Sequence, residues 1–315
     1  MSLEKVLVTG ATGFIGAALV KKMVTLLGIQ VWAGVRGSIN ELPERVISLP
    51  LGDIGRSASF ESLSGFSTIV HCAARVPVIE ERCPIKDFRE VNVSGTLKLA
   101  RRASQDGVRR FIFISSVKVN GEATFLGQPY RANDAPSPQD LYGISKLEAE
   151  QGLLALAEET GLEVVIVRPP LVYGPCVKGN FASMVKLVDQ GIPLPFGAIH
   201  NKRSLVGIDN LVDLIIRCID HPAAANQIFL ASDGEDLSTT ELLRGVGKAM
   251  GKPARLIPVP AGLLQWGATL LGRKAMAQRL LGSLQVDISK THELLDWKPP
   301  YTVEEGLRRC FERSN

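Results

Sequence analysis

The segment Val6-Leu-Val-Thr-Gly10-Ala-Thr-Gly13-Phe-Ile-Gly16 decides the fold of this 315-residue chain. An apolar run leads into three glycines with the spacing G-x-x-G-x-x-G, and the periodicity of a helix follows. Such glycines permit a tight turn, a close approach of the backbone to a phosphate, and close packing of the helix on the strand. Because a helix start offers free N–H groups and a positive dipole end, the turn predicts a site for a dinucleotide pyrophosphate. The residues expected to hold it are Gly10, Thr12, Gly13, Phe14, Ile15 and Gly16.

The rest of the first two-thirds alternates short apolar runs with helical periodicity. Runs rich in Val, Ile and Phe predict buried strands at Lys5–Thr9, Gln30–Val35, Val46–Leu49, Thr68–Cys72, Arg110–Ser115 and Glu163–Arg168. Helices are predicted between them at Phe14–Leu27, Ile85–Asp106 and Gln139–Thr160. This alternation predicts an α/β fold, a Rossmann-type doubly wound parallel sheet with helices on both faces.

The pattern changes after Arg168, where Pro and Gly become frequent. A strand at Ser204–Ile208, a helix at Asn210–Asp220 and a strand at Gln227–Ala231 then follow. We therefore predict a dinucleotide-binding domain made of residues 1–170 and about 205–231. A smaller, mostly helical C-terminal substrate lobe is expected from about 171–204 and 232–315, with a capped helix start at Ser238-Thr-Thr-Glu241.

Composition excludes several classes of protein. With 45% apolar and 22% charged residues the chain is globular, and its net charge of +4 is spread without a basic arm for nucleic acid. The N-terminus enters the first strand directly, so no signal peptide is expected. Five scattered cysteines without a CxxC pair predict reduced thiols in a cytoplasmic protein, with neither a disulfide nor a metal site.

One late apolar stretch, Ala261–Leu271, could be mistaken for a membrane segment. It is too short to span a bilayer, so no integral membrane segment is expected. A helix on a membrane surface and a helix packed in the substrate lobe both fit the pattern, and the packed helix is favoured.

The second strand bears on which dinucleotide binds. NAD sites usually carry Asp or Glu about 20 residues beyond the glycine turn, whereas this strand ends in Val35-Arg36. A guanidinium can bind a 2′-phosphate through paired hydrogen bonds, so Arg36 favours NADP(H) over NAD(H). The alternative is an exposed loop cation. Asp53 closes the third strand, where it could meet the adenine amine or serve as a turn residue.

Tyr142 and Lys146 form the candidate acid–base pair. They are four residues apart in Tyr142-Gly-Ile-Ser-Lys146, so they share one face of the predicted helix. A tyrosine pKa of about 10 must be lowered by positive charge before the phenol can exchange a proton near neutrality. Lys146 and an oxidised nicotinamide would supply that charge. With Ser116 at the end of the fifth strand, the set predicts hydride-transfer chemistry.

The motifs together resemble extended short-chain dehydrogenases/reductases of the NAD-dependent epimerase/dehydratase family. The matching segments are Thr9-Gly-Ala-Thr-Gly-Phe-Ile-Gly16, His71-Cys-Ala-Ala74, Val91-Asn-Val-Ser-Gly-Thr96, Ser115-Ser-Val-Lys-Val-Asn-Gly121, Tyr142-Gly-Ile-Ser-Lys146, Arg168-Pro-Pro-Leu-Val-Tyr-Gly-Pro175 and Arg203-Ser-Leu-Val-Gly-Ile-Asp209. The resemblance covers nearly the whole chain. It implies that Ser116 bonds the reacting oxygen, that Lys146 also binds the nicotinamide ribose, and that Asn92 braces the active-site helix. Asn92 facing water inside a helix is the alternative.

Further contacts are implied by the same resemblance. Cofactor contacts are expected from Ile54, Cys72, Ala73, Ala74, Asn92 and Pro169. Substrate contacts are expected from Val76, Ser116, Lys118, Asn180, Arg203 and Arg279. The alternatives are an ordinary helix-surface arginine at Arg279 and a solvent-facing side chain at Lys118. Arg203 would pair with a diphosphate, which a guanidinium binds well. Relatives that dimerise through a bundle containing the Tyr-Lys helix imply a homodimer.

Departures from the family pattern narrow the reaction. Dehydratases carry Asp-Glu where this chain has Val117 and Lys118, so elimination of water is disfavoured, and Asn120 replaces a frequent tyrosine. Arg36 and the missing acid on the second strand favour reduction of the C4 ketone of a UDP-4-keto-6-deoxy-N-acetylhexosamine, as in enzymes of bacterial O-antigen and lipopolysaccharide synthesis. The alternatives are a UDP-hexose or UDP-N-acetylhexosamine 4-epimerase with bound NAD, a reductase of a non-nucleotide ketone, and a protein that has lost catalysis.

Overall fold

The main sheet of the computed structural model is parallel throughout. The structure describes residues 3–37, 42–56, 60, 62–77, 84–272 and 274–312. The strands in chain order are β1 (Glu4–Thr9), β2 (Ile29–Val35), β3 (Ile47–Pro50), β4 (Thr68–His71), β5 (Arg110–Ile114), β6 (Glu163–Arg168), β7 (Leu171–Tyr173), β8 (Arg203–Gly207), β9 (Gln227–Leu230) and β10 (Asp236–Leu237). Seven of them form a sheet in the order β3-β2-β1-β4-β5-β6-β9. The chain reverses its direction of travel between β1 and β4, which places a ligand crevice at their carboxyl ends.

Helices cover both faces of this sheet and make up most of the region beyond β6. They are α1 (Phe14–Met23), α2 (Ile85–Phe88), α3 (Thr96–Gln105), α4 (Leu141–Thr160), α5 (Asn180–Asp189), α6 (Ile208–Asp220), α7 (Thr239–Ala249), α8 (Ala261–Leu270), α9 (Lys274–Leu281), α10 (Ser289–Leu295) and α11 (Val303–Arg309). A π-helical segment, Arg89–Gly95, joins α2 to α3. Val6 and Val8 of β1 pack with α1 and α6, while Leu7 between them packs with α3 and α4. Alternate side chains of a strand face opposite sides of the sheet, so helices on both faces bury the apolar residues of β1.

The predicted doubly wound α/β fold is confirmed, with one strand differently placed. The strand expected at Ser204–Ile208 forms as β8, but it pairs with β7 and β10 in a separate three-stranded sheet. The helix α6 and the strand β9 do return to the main sheet. An apolar run shows that a strand forms but not which sheet it joins. The division of the chain into two lobes therefore stays a prediction.

The region beyond β6 has a core of its own. Tyr173, Phe181, Leu205, Leu242 and Leu307 come from five different elements and lie in one buried cluster. The capped start predicted at Ser238 is present, because its side chain accepts the Glu241 N–H and the Glu241 carboxylate accepts the Ser238 N–H.

Helix α8 differs from the sequence prediction. We expected it to pack inside the substrate lobe, yet none of its ten residues is buried. Whether a helix is buried depends on which other elements pack against it, and the apolar sequence of α8 does not show this. Within the described ranges no helix is long and apolar enough to cross a membrane. Of the five cysteines, Cys83 lies outside the described residues.

Candidate active site

The glycine turn passes directly beneath the loop that follows β4. Gly10 has a φ of +66°, and a Cβ placed on it would lie 2.7 Å from the backbone N of Ala73. A Cβ on Gly16 would lie 2.2 Å from the carbonyl oxygen of Gly10. Helix α1 begins after Gly13, which has no side chain to cap it, and Thr12 and Gly13 are exposed. The turn thus leaves the helix start open to a phosphate, and these residues fit a dinucleotide.

The residues expected at the adenosine end lie at the ends of β2 and β3. Arg36 is exposed. Asp53 is also exposed, and its carboxylate accepts the N–H of Gly55 at 3.0 Å, as in a turn closed by its own aspartate. Ile54 is buried against Gly95, where a Cβ would lie 2.7 Å from the Ile54 side chain. Ile54 therefore packs the loop onto the helical run.

Asn92 ties the loop after β4 to the catalytic helix. Its side-chain amide donates to the carbonyl oxygen of Arg75 and to Ser145 Oγ, both at 3.0 Å, and its oxygen accepts the Arg75 N–H at 2.8 Å. Only 1% of its surface is exposed, so the alternative of a water-facing Asn92 does not hold. The same loop carries Cys72, whose pKa is raised to about 12 by burial, and the half-buried Ala73 and Ala74.

Lys146 lies at the carboxyl end of β5. Its Nζ donates to the carbonyl oxygen of Ile114 at 2.8 Å, and it lies 5.9 Å from the ring centre of Tyr142. Ser116 follows two residues after Ile114 and is partly exposed, with its Oγ accepting the N–H of Lys118 at 3.3 Å. The N–H of Val117 donates to the carbonyl oxygen of Pro169 at 3.0 Å, so the ends of β5 and β6 are tied together.

The titration of the pair differs from the sequence prediction. Burial raises the pKa of Tyr142 above its ordinary value, and the negative charge of Asp140 adds to the rise. Burial lowers the pKa of Lys146 to about 8, although Glu150 and Cys72 oppose that shift. The protein's own groups therefore keep the phenol protonated, and Lys146 alone does not lower its pKa. The other lowering influence that we expected is the positive charge of a bound oxidised nicotinamide.

Lys118 contacts acidic side chains. Its Nζ pairs with Asp140 and with Glu122, the latter at 3.3 Å. Asp140 also caps α4, because its carboxylate accepts the N–H of Gly143 at 2.7 Å. Lys118 thus balances a carboxylate next to Tyr142. Asp140 was not among the residues predicted from the sequence, although an Asp directly before a helical run is a common cap.

A buried ion pair lies beneath the catalytic helix. Glu150 follows Lys146 by one turn and accepts hydrogen bonds from Arg168 Nε at 3.0 Å and Nη2 at 2.5 Å, and one from Ser115 Oγ. Both charged side chains are 2% exposed. Arg168 Nη1 also donates to Asn120 Oδ1 at 3.0 Å. Asn120 is thus a buried member of this network.

The expected substrate contacts lie on separate elements. Arg203 on β8 is partly buried, its Nη1 donates to the carbonyl oxygen of Gly282 at 3.0 Å, and burial lowers its pKa. Asn180 at the start of α5 and Arg279 on α9 are exposed, and Val76 is 55% exposed. The glycine turn, the loop after β4, Asn92 and the Ser-Tyr-Lys set meet at one edge of the main sheet. It stays a prediction that one substrate contacts Asn180, Arg203 and Arg279 together.

An open helix start after the glycine turn, beside a Tyr-Lys pair, fits an enzyme that moves hydride with a nicotinamide cofactor. The chain belongs to the NAD dependent epimerase/dehydratase family, whose model matches residues 6–231. A UDP-glucose 4-epimerase of Vibrio cholerae is 50% identical over 313 residues, which cover 98% of this chain and 95% of that protein.

Solved structures of UDP-sugar epimerases share the fold. A UDP-glucose 4-epimerase from Thermotoga maritima, solved with UDP-glucose, has a TM-score of 0.76 at 23% identity and covers 97% of both chains. A UDP-glucuronic acid 4-epimerase from Bacillus cereus, in complex with NAD, has a TM-score of 0.77 at 21% identity. It covers 97% of this chain and 96% of that one.

These comparisons correct the predicted reaction. The prediction of a C4-ketone reductase is wrong, because the half-identical relative over nearly the full length is an epimerase. That prediction rested on Arg36. An exposed cation at the end of β2 does not indicate whether the cofactor leaves the enzyme after each turnover, which is what separates a reductase from an epimerase. The preference for NADP is not supported either, and NAD is the better supported cofactor in a family described as NAD dependent.

Proposed function

We propose that this protein is a UDP-hexose 4-epimerase that keeps its NAD bound through the reaction, with UDP-glucose as the substrate to test first. The observation that carries the proposal is the 50% identity to a UDP-glucose 4-epimerase over 98% of the chain. The Ser-Tyr-Lys set at the carboxyl edge of the sheet supports it, because inversion at one carbon needs the same acid–base twice.

The chemistry assigned to the chain's own residues follows from their surroundings. Bound NAD supplies one thing, a reversible acceptor for the hydride of C4. Tyr142, as the phenolate that Lys146 and the positive charge of oxidised NAD together would stabilise, takes the proton of the C4 hydroxyl as that carbon is oxidised, and returns it when the ketone is reduced on its other face. Ser116 donates a hydrogen bond to the same oxygen. Lys146 bonds the nicotinamide ribose and places its charge beside the phenolate.

The substrate and cofactor contacts are proposed on the same basis. Arg203 has further guanidinium N–H groups besides the one bonded to Gly282, and in a partly buried position these suit a diphosphate. Arg279 and Asn180 are proposed as weaker, exposed contacts of the nucleotide. Asp53 and Arg36 flank the adenosine end. A homodimer, a cytoplasmic location and a role in polysaccharide synthesis stay predictions.

The test is incubation of the purified protein with UDP-glucose and no added cofactor. Formation of UDP-galactose, with NAD recovered from the denatured enzyme, is the expected result, and UDP-N-acetylglucosamine in a parallel assay defines the hexose. Tyr142→Phe should reduce kcat/KM by about a hundred- to ten-thousand-fold while NAD stays bound. The matched control is Tyr301→Phe, whose ring packs on Arg309. Failure to invert either sugar nucleotide, in protein that retains its NAD, would overturn the proposal.

A further inference from the structure

Helix α8 presents an apolar face to solvent. Leu263, Trp266 and Leu270 follow the spacing i, i+3, i+7, so they share one face, and they are 60%, 66% and 68% exposed. Leu271 directly after the helix is 75% exposed, and Ile257 before it is 49% exposed. We call these five residues the α8 face. Several exposed large apolar residues on and beside one helix indicate a place where another apolar phase is bound.

The stretch of sequence that contains α8 has ionisable side chains of one sign only. From Leu242 to Val286 the sequence has no Asp or Glu and seven Lys or Arg. Lys248 and Lys252 pair with acids elsewhere in the protein. Arg255 precedes the face and is exposed, and so is Arg279 on α9, which packs against α8. The apolar face is therefore bordered by cations within a region without carboxylates.

We infer that the α8 face docks the protein onto the surface of an anionic lipid bilayer. Leucines would enter the boundary between headgroups and acyl chains, and Arg255 beside the face would meet lipid phosphates. Trp266 suits this boundary, because its ring is apolar while its N–H needs a polar partner. Helix α8 lies on the membrane in this arrangement and does not cross it.

The charge selects a lipid surface over a second copy of the chain. Two α8 faces brought together would also bring together their bordering cations, with no carboxylate from Leu242 to Val286 to offset them. An anionic bilayer offers both an apolar phase and the opposite charge. The inference does not depend on the proposed reaction, because docking is measured without turnover.

The test is flotation of the full-length protein with vesicles of phosphatidylglycerol and phosphatidylethanolamine. We expect flotation at low salt, a shift of Trp266 emission to shorter wavelength, and loss of binding at high salt or on phosphatidylcholine vesicles. The variant Leu263→Gln/Trp266→Gln/Leu270→Gln should bind at least about tenfold less while epimerising soluble UDP-hexose as before. Arg255→Gln should weaken binding more at low salt than at high salt.

The matched control changes three exposed apolar residues elsewhere. Leu27, Phe125 and Leu126 are 98%, 80% and 65% exposed, and their joint exchange for Gln should leave flotation unchanged. Equal loss in both triple variants, or flotation that neither salt nor lipid charge affects, would overturn the inference. Self-association without lipid that disappears in the α8 variant would assign the face to a second copy instead.

Discussion

At the scale of single residues, burial acts on Tyr142 and Lys146 in opposite directions. It raises the pKa of the phenol and lowers the pKa of the ammonium to about 8, because both shifts favour the uncharged form. Phe113 covers the ammonium at 4.3 Å from its ring centre, and Ile114 supplies one hydrogen bond. Burying the Lys146 ammonium therefore costs folding free energy. Such a cost is expected where the positive charge takes part in the reaction.

The cost of burying Lys146 should appear in the pH dependence of stability. Below a pH of about 8 the folded and unfolded chains are both protonated at this residue, and the full cost is present. Between about 8 and the ordinary 10.5 only the folded state releases the proton, so rising pH favours folding. Urea unfolding should therefore show the free energy of unfolding of wild type, relative to Lys146→Met, rising across this window and levelling above it.

The control for that series is Lys21→Met, since Lys21 is exposed on α1. Its difference from wild type should stay level over the same pH range. A flat difference for Lys146→Met as well would contradict a buried ammonium at this position.

Sequence alone could identify residues whose chemistry shows in local spacing. The glycine turn, Ser116 and the Tyr142–Lys146 pair have such spacing, and the structure places them at one edge of the sheet. The partners of Lys118 and Arg168 could not be predicted, because Asp140 and Glu150 meet them through contacts between distant elements. The choice between reductase and epimerase also failed, since both use the same acid–base set.

At the scale of elements, the β1–α1 turn is fixed by contact with the loop after β4. Gly10→Ala combines a positive φ with a Cβ 2.7 Å from the backbone of Ala73. Gly28 also has a positive φ of +85°, but nothing lies within 4 Å of its Cβ position. Gly28→Ala should cost about 1–2 kcal/mol of folding free energy. Gly10→Ala should cost clearly more and abolish NAD binding, as measured by urea unfolding and by the NAD content of the purified protein.

Both variants place an alanine at a positive φ, but only Gly10→Ala also brings its Cβ against the backbone of Ala73. Equal losses of stability would therefore contradict the close approach of β1 and β4, and normal NAD content in Gly10→Ala would contradict the cradle.

The helix α4 is anchored by the ion pair of Glu150 and Arg168. Glu150→Gln leaves the Arg168 charge buried without its counterion, which should cost about 3–5 kcal/mol in urea unfolding. The exposed pair of Lys248 and Glu304 provides the control, and Glu304→Gln should change stability little. A small effect of Glu150→Gln would mean that hydrogen bonds, rather than charge, hold Arg168.

Element types could be predicted from the sequence better than their partners. The runs at β1, β2 and β6 and the helix α4 form close to the predicted bounds, because periodicity and caps are local. The strand β8 and the helix α8 form as well, but β8 joins another sheet and α8 has no fully buried residue. Pairing and burial depend on residues far along the chain, and no local pattern encodes them.

At the scale of the whole molecule, the reversal of strand order between β1 and β4 sets where the reaction occurs. The cofactor cradle lies on one side of this crevice, and Lys146 at the end of β5 lies on the other. Arg203, the proposed contact of the diphosphate, belongs to the separate small sheet. A substrate bound between them would be held at its diphosphate end while the hexose is free to present either face.

That arrangement predicts the fate of the hydrogen on C4. With UDP-glucose deuterated at C4 of the hexose, we expect UDP-galactose to retain the deuterium, because the hydride that leaves the carbon returns to the same carbon without meeting solvent. Mass spectrometry and proton NMR of the product measure the retention. The matched control is unlabelled substrate in D2O, which should gain no deuterium at C4. Loss of deuterium in the first experiment or uptake in the second would mean that inversion proceeds by removal of a proton from C4. That reaction does not need a bound dinucleotide, so either result would contradict the proposed mechanism.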